Sequence, residues 1–308
     1  MKQDLNNSVP NFEHKTVFLD EAIELLGPLP HKVFLDVTLG GGGHTKKLLE
    51  FDPSIKVIAL DWDKRAIENA EQILKPIFGD RLELVFANFV SIARVLKNLG
   101  LEFVDGILAD FGTSQDQIFN KDGFAFSVDS PLDMRMSNSH KHTTAQTILE
   151  RATEEELELI FSRYGGEKFA RPIAKRIVAT REKNPILTTF ELAKLVESVI
   201  LPKTSRKITL SCHPATKVFQ ALRIAVNSEL ENIEHFLKYA PLALKPGGKL
   251  VCISFHSLED RLVKNFFKDF CLQNPSSKIV TKKAIIPTEE QCRSNPSTRS
   301  AKMRCLEK

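Results

Sequence analysis

The sequence lacks any apolar run approaching the roughly 18 residues that cross a bilayer. The first residues also lack a hydrophobic segment after Lys2, so we expect neither membrane insertion nor secretion. Cysteine is sparse: the five cysteines are odd in number, scattered, and free of any Cys-x-x-Cys pair. We therefore expect a reducing, cytoplasmic environment and no metal site.

Composition is ordinary for a folded protein. The 308 residues are 42% hydrophobic and 27% charged, so disorder is not expected. A chain of this length has room for about two domains with a sizeable core.

Charge is unevenly distributed along the chain. Residues 1–162 carry a net charge of −10, residues 163–223 carry +9, residues 224–277 are neutral, and the last 31 residues carry +5. A solvated helix face is the simpler interpretation of a basic segment, but a division this sharp favours contact with nucleic-acid phosphates.

The front half alternates short apolar runs with amphipathic stretches, which is typical of strands joined by crossover helices. The runs rich in β-branched and aromatic residues predict strands at 33–37, 56–61, 82–87, 106–111 and 249–254. The amphipathic stretches predict helices near 44–51, 64–75, 90–99 and 215–239. The predicted fold class is α/β, with a doubly wound, mostly parallel sheet.

About 100 of the residues between the fourth and fifth predicted strands stand out. They show helical periodicity and contain no convincing strand. We therefore predict an inserted, basic helical domain at 116–214, with 1–115 and 215–308 forming the sheet domain.

The first predicted strand ends at Asp36 and runs into four glycines that open a helix. Such a turn lets backbone approach a nucleotide-like ligand, and Asp61, at the end of the second strand, is placed to accept ribose hydroxyls. Dinucleotides and S-adenosylmethionine both fit this pairing. The dinucleotide fingerprint requires a third glycine where this chain has Thr45, so the methyl donor is the better fit.

Several longer motifs are too specific to follow from composition. They are His14-Lys15-Thr16-Val17, Gly42-Gly43-His44, Asp110 to Ser114, Gly123 to Phe126, Ser130 to Met136, Phe219 to Ile224 with Val226-Asn227, Ser254 to Arg261 and Asn295 to Ala301. Together they closely resemble the bacterial MraW-type ribosomal RNA methyltransferases, from about residue 14 to 305. The resemblance implies methyl transfer from S-adenosylmethionine to the N4 amine of a cytosine in the decoding region of 16S ribosomal RNA, within the small ribosomal subunit.

The resemblance also implies which residues contact the cofactor: Gly42, Gly43, His44, Asp61, Phe89, Asp110 and Gln117. One departure lies just before Gln117. The family commonly shows paired serines and then proline there, whereas this chain has Thr113-Ser114-Gln115-Asp116.

A cytosine amine is a poor nucleophile because its lone pair is delocalised into the ring, so it needs orientation more than a strong base. Asp110 is placed to accept from such an amine, and His256, after the fifth strand, is a second catalytic candidate for proton relay or phosphate binding; a structural hydrogen bond is the alternative. The aromatic candidates for stacking on the target base are Phe111, Phe124 and Phe255, for which core packing is the alternative.

Three basic residues at helical spacing predict a solvent-facing surface on the inserted domain, with Phe169, Ile173 and Ile177 on the opposite face. These residues are Lys168, Arg171 and Lys175. Two other functions remain open. A nicotinamide-dependent oxidoreductase shares the glycine turn, and a non-catalytic RNA-binding factor shares the basic surface.

Overall fold

A computed structural model describes residues 16–113, 121–138, 142–201 and 213–308. Their strands form one seven-stranded sheet in the order β3-β2-β1-β4-β5-β7-β6. The strands are β1 (Val33–Asp36), β2 (Lys56–Asp61), β3 (Leu82–Phe86), β4 (Val104–Asp110), β5 (Leu244–Ser254), β6 (Lys278–Ile279) and β7 (Lys302–Glu307).

The first five strands pair in parallel, and β7 pairs antiparallel with both β5 and β6. This topology confirms the predicted doubly wound, mostly parallel sheet. The five predicted strands are confirmed, although β5 begins earlier than expected. The sequence prediction omitted β6 and β7.

Helices cover both faces of the sheet. In the sheet portion they are α1 (Leu19–Leu26), α2 (Gly43–Phe51), α3 (Lys64–Ile73), α4 (Lys75–Phe78) and α5 (Ile92–Asn98). After the fourth strand come α6 (Ala145–Arg151), α7 (Glu154–Gly165), α8 (Ala170–Arg181), α9 (Thr189–Ile200), α10 (Thr216–Asn227), α11 (Glu229–Tyr239), α12 (Ser257–Gln273) and α13 (Glu289–Ser294). None of the helices in these ranges is both long and apolar enough to cross a membrane.

The single helix predicted at 215–239 is wrong. Two helices, α10 and α11, meet at Ser228, whose backbone lies in the left-handed region with φ of 51°. A non-glycine residue in that conformation interrupts the helical hydrogen-bond ladder and lets the second helix set off in a new direction.

Three apolar cores follow this layout. One core lies on each face of the sheet. The third is formed by side chains of the five helices from α6 through α10. Side chains of α10, including Phe219 and Leu222, are buried in this third core. Helix α10 therefore packs with the inserted helices, although it lies after the domain boundary drawn from the sequence.

Candidate active site

A cavity of about 480 Å³ opens at the carboxyl ends of the parallel strands, where the strand order reverses between β1 and β4. Open α/β sheets bind ligands at this position, and the volume suits a nucleoside-sized molecule. Five acidic residues line it: Asp61, Asp63, Asp110, Glu229 and Glu259.

The glycine turn forms one wall. Gly42 has φ of 79° and precedes α2, and a Cβ there would lie 2.6 Å from Leu74 Cδ1. Gly43 opens the helix, and a Cβ at Gly43 would overlap the hydroxyl of Thr16. His44 is buried, with Nε2 3.1 Å from the Val17 carbonyl oxygen. Gly42 and Gly43 therefore leave no room for side chains because of Leu74 and Thr16, and Gly42 is not among the described residues that line the cavity.

Asp61 fixes the turn to the second strand. Its Oδ2 accepts from the Gly40 N–H at 2.9 Å, and its Oδ1 accepts from the Asp63 N–H at 2.8 Å. Burial raises the pKa of Asp61 to about 6, and the two backbone N–H groups oppose that shift. Each oxygen keeps a further acceptor position, because a carboxylate oxygen has two lone pairs.

Asp36, at the end of β1, supports the turn from below the cavity. It accepts from the Thr45 hydroxyl at 2.7 Å and from the Thr38 N–H at 3.1 Å. Burial raises the pKa of Asp36 to about 6. Thr45, which occupies the place of the missing third glycine, therefore donates a hydrogen bond to the carboxylate at the end of the first strand.

Phe89 lines the cavity beside the second and third strands. Its ring packs edge-on against Phe111 and Phe236, with centroids 5.9 Å and 5.5 Å away. Phe111 is almost fully buried in this cluster, which matches the core-packing alternative. Phe111 nevertheless also lines the cavity, as does Phe255, whereas Phe124 is not among the described lining residues.

Asp110, at the end of β4, holds an unusual carboxyl group. Its backbone N–H donates to the Thr38 hydroxyl at 2.6 Å, while its Oδ1 is buried without a hydrogen-bond partner in the described part of the chain. Burial, followed by the charges of Asp36 and Glu259, raises the pKa of Asp110 well above its ordinary value. Burial thus favours the neutral form of Asp110.

Arg223 and Glu229 form a bidentate ion pair beside Asp110. The guanidinium donates through Nε at 2.8 Å and Nη2 at 2.9 Å, and its Nη1 donates to the Thr113 hydroxyl at 3.2 Å. Both side chains are mostly buried. No role was predicted for either residue from the sequence, although Arg223 lies within the motif Phe219 to Ile224.

His256 begins α12 as its N-cap. Nδ1 accepts from the Glu259 N–H at 3.4 Å, so the neutral ring carries its proton on Nε2. Burial, then the charge of Arg223, lowers the pKa of His256 to about 4. His256 is not among the described residues that line the cavity, so its position favours the structural alternative.

Glu229, His256 and Glu259 have ligand atoms within 4.8 Å of one another, an arrangement that also suits a metal ion. Arg223, however, already engages both oxygens of Glu229. The guanidinium therefore supplies positive charge at this cluster.

A segment after the fourth strand reaches the side of the cavity that lies at the end of β2. Lys121 pairs with Asp63 at 2.8 Å, and Met136, which lines the cavity, donates its N–H to Asn227 Oδ1 at 2.8 Å. Gln117, the last predicted cofactor contact, lies outside the described residues.

Comparison with known proteins identifies the family. The family model of the MraW methylases matches residues 11–308. The chain belongs to the MraW methylase family. A Carboxydothermus hydrogenoformans protein named ribosomal RNA small subunit methyltransferase H is 44% identical to this MraW methylase over 312 residues, covering 96% of this chain and 98% of that one.

A Picosynechococcus protein of the same name is 46% identical to this MraW methylase over 297 residues, covering 96% and 97% of the two chains. The crystal structure of an rRNA methylase from Streptococcus thermophilus aligns at a TM-score of 0.41 and 12% identity, covering 96% and 97%. The resemblance stated from the motifs is confirmed: this MraW methylase is a methyltransferase, and the acids, the glycine turn and Phe89 meet at one cavity.

Proposed function

We propose that this methylase transfers a methyl group from S-adenosylmethionine to the N4 amine of a cytosine in the decoding region of 16S ribosomal RNA. The family match across residues 11–308 is the observation that carries the proposal. The relatives that cover almost the whole chain are named as small-subunit ribosomal RNA methyltransferases.

The cavity fits the methyl donor by its donor and acceptor groups. When bound, S-adenosylmethionine supplies an electrophilic methyl group on a sulfonium. We assign the ribose hydroxyls to Asp61, the adenine edge to Phe89, and the amino acid end to the turn Gly42-Gly43-His44, with Gln117 as a further contact. Carboxylates along the cavity also favour a cationic ligand.

Asp110 is proposed to contribute both to donor placement and to holding the target amine. Its buried, unpartnered oxygen is available to a group that arrives with the substrates. His256 is not among the described cavity-lining residues, so we assign it the structural role of capping α12 in place of the predicted catalytic one.

The inserted helices are proposed to bind the RNA. Lys168, Arg171 and Lys175 are exposed, whereas Ile173 and Ile177 of α8 are fully buried. This surface can reach phosphates without disturbing the fold. The proposed recognition domain is 116–214, and α10 packs in the same apolar core as its helices.

The assembled small subunit in the cytoplasm is the proposed substrate. Small subunits from cells lacking this chain are to be incubated with the protein and labelled methyl donor, and the modified nucleotide mapped by mass spectrometry; naked 16S RNA is tested in parallel. Methylation of a cytosine N4 is expected. Methylation of another nucleotide contradicts the proposal, and RNA binding without methyl transfer favours a non-catalytic factor.

A further inference from the structure

Three cavity-lining acids have no role in the proposed function, and two of them are paired: Asp63 with Lys121 and Glu229 with Arg223. The third is Glu259. It lies in the first turn of α12, directly after the loop that follows β5. Because Asp110 of β4 is paired in register with Ile253 of β5, this loop is brought beside Asp110. Glu259 is fully buried, yet it is among the residues that line the cavity.

The two oxygens of Glu259 have different surroundings. Oε2 accepts from the N–H groups of Phe255 at 2.7 Å and His256 at 3.2 Å, which fixes the side chain and completes the helix cap. Oε1 is buried and has no hydrogen-bond partner within the described ranges. It lies 3.3 Å from His256 Nε2 without the geometry of a hydrogen bond. A buried oxygen without a partner is costly unless a ligand satisfies it.

The neighbouring groups are less suited to accept a proton. Both oxygens of Glu229 are bonded to Arg223. The Nδ1 of His256 accepts from a backbone N–H, and the pKa of the His256 ring is lowered to about 4. The pKa of Asp110 is raised well above its ordinary value, mainly by burial.

Glu259 retains its charge more readily than Asp110. Burial raises the pKa of Glu259, but Arg223 and the two backbone N–H groups oppose that shift. No such opposing group acts on Asp110 among the causes that shift its pKa.

We propose that Glu259 is a catalytic residue whose Oε1 accepts a hydrogen bond from the target amine and then takes its proton; this rests on the proposed function. The N4 nitrogen forms a bond to the methyl carbon as the carbon–sulfur bond breaks, and that bonding pair goes to sulfur. The positive charge passes from sulfur to nitrogen, and nitrogen then loses a proton to Oε1. Glu259 ends as the neutral acid and returns the proton to solvent when the products leave.

The same contact gives a preference for cytosine. Its N4 amine donates toward the groove where uracil has an O4 acceptor. A carboxylate oxygen accepts from the amine and repels O4, so Glu259 favours cytosine already in binding. This preference is measurable without any methyl transfer.

The test uses Glu259→Gln, which keeps the size of the side chain. The amide oxygen retains the cap, and an NH₂ donor replaces Oε1. Glu50→Gln is the control, because Glu50 is an exposed glutamate of α2 that lies 3.7 Å from Lys46 Nζ, outside the inserted helices. Both variants are compared with the parent in melting temperature, donor affinity, single-turnover methylation of small subunits, and binding of subunits carrying cytosine or uracil at the target.

For Glu259→Gln we expect single-turnover methylation to fall by about a hundredfold or more, the scale of general acid–base catalysis. Donor affinity should stay within roughly threefold, and the preference for cytosine over uracil, measured with S-adenosylhomocysteine bound, should be lost. Glu50→Gln should match the parent.

A Glu259→Gln variant with the parent's turnover overturns the proposal. So does a turnover loss matched by an equal loss of donor affinity. If Glu259→Gln does not fold, Glu259→Asp decides: it keeps a carboxylate but shortens its reach, and a parental rate would exclude Oε1 as the acceptor. If the parent itself does not methylate cytosine N4, the proposed function has failed instead.

Discussion

Replacing Asp61 by alanine tests the assignment of the methyl donor to the glycine-turn end of the cavity. Each Asp61 oxygen holds one backbone N–H and keeps one acceptor position for a ribose hydroxyl. Losing two charge-assisted hydrogen bonds should weaken donor binding by about 2–3 kcal/mol, which is roughly a 30- to 150-fold rise in Kd.

The pH dependence gives a second, independent magnitude. The pKa of Asp61 is about 6, above its ordinary value, and the proposed ribose contact uses the ionised carboxylate. Donor affinity is therefore full above that pKa and falls as pH falls through it, by about tenfold from pH 7 to pH 5. Asp61→Asn has no charge to titrate and should lose this dependence.

Calorimetric titration measures both effects, and Trp62, the sole tryptophan, lines the cavity and provides a fluorescence signal. Asp52→Ala is the control, because Asp52 also accepts a backbone N–H, from Ser54 at 2.8 Å, but lies at the opposite end of β2. A folded Asp61→Ala variant with parental affinity, or a parent with a flat pH profile, would refute the ribose assignment.

The remaining predictions address the turn, the amine and the RNA. Gly43→Ala should weaken donor binding because its Cβ displaces the Thr16 side chain, and adding Thr16→Gly should recover it; calorimetry without that recovery excludes the steric cause. Asp110→Asn should reduce turnover more than RNA affinity, and a near-parental single-turnover rate at saturating donor would remove Asp110 from catalysis. Replacing three exposed basic residues by glutamine should weaken subunit binding and flatten its salt dependence by up to about three units of log–log slope, with donor affinity unchanged; an unchanged slope would mean a merely solvated surface at Lys168, Arg171 and Lys175.

The sequence by itself determined the five parallel strands of the sheet and part of the site. Runs of β-branched residues at strand length predict β1 to β5 because local pattern and burial agree there. Since the carboxyl ends of parallel strands share one edge, the acids Asp36, Asp61 and Asp110 had to lie near the glycine turn. The motifs also identified the family, which the family model confirms.

Features that depend on long-range pairing were missed. Strand β7 lies at the end of the chain, and only its antiparallel pairing with β5 makes it part of the sheet. The break at Ser228 was missed because α10 and α11 share one continuous amphipathic pattern, while α10 packs with the inserted helices and α11 against the sheet.

Only the tertiary structure placed Glu229 and Glu259 in the same cavity as Asp110, with Arg223 paired to Glu229. More than a hundred residues of sequence separate each of them from Asp110, so no periodic pattern in the sequence connects them with it. The structure also decided their chemistry, because the pKa of a carboxyl group depends on how far packing removes it from water and on which charges and N–H groups remain beside it. Packing therefore gives the two acids different properties. Burial favours the neutral form of Asp110, whereas two backbone N–H groups and Arg223 stabilise the charged form of Glu259.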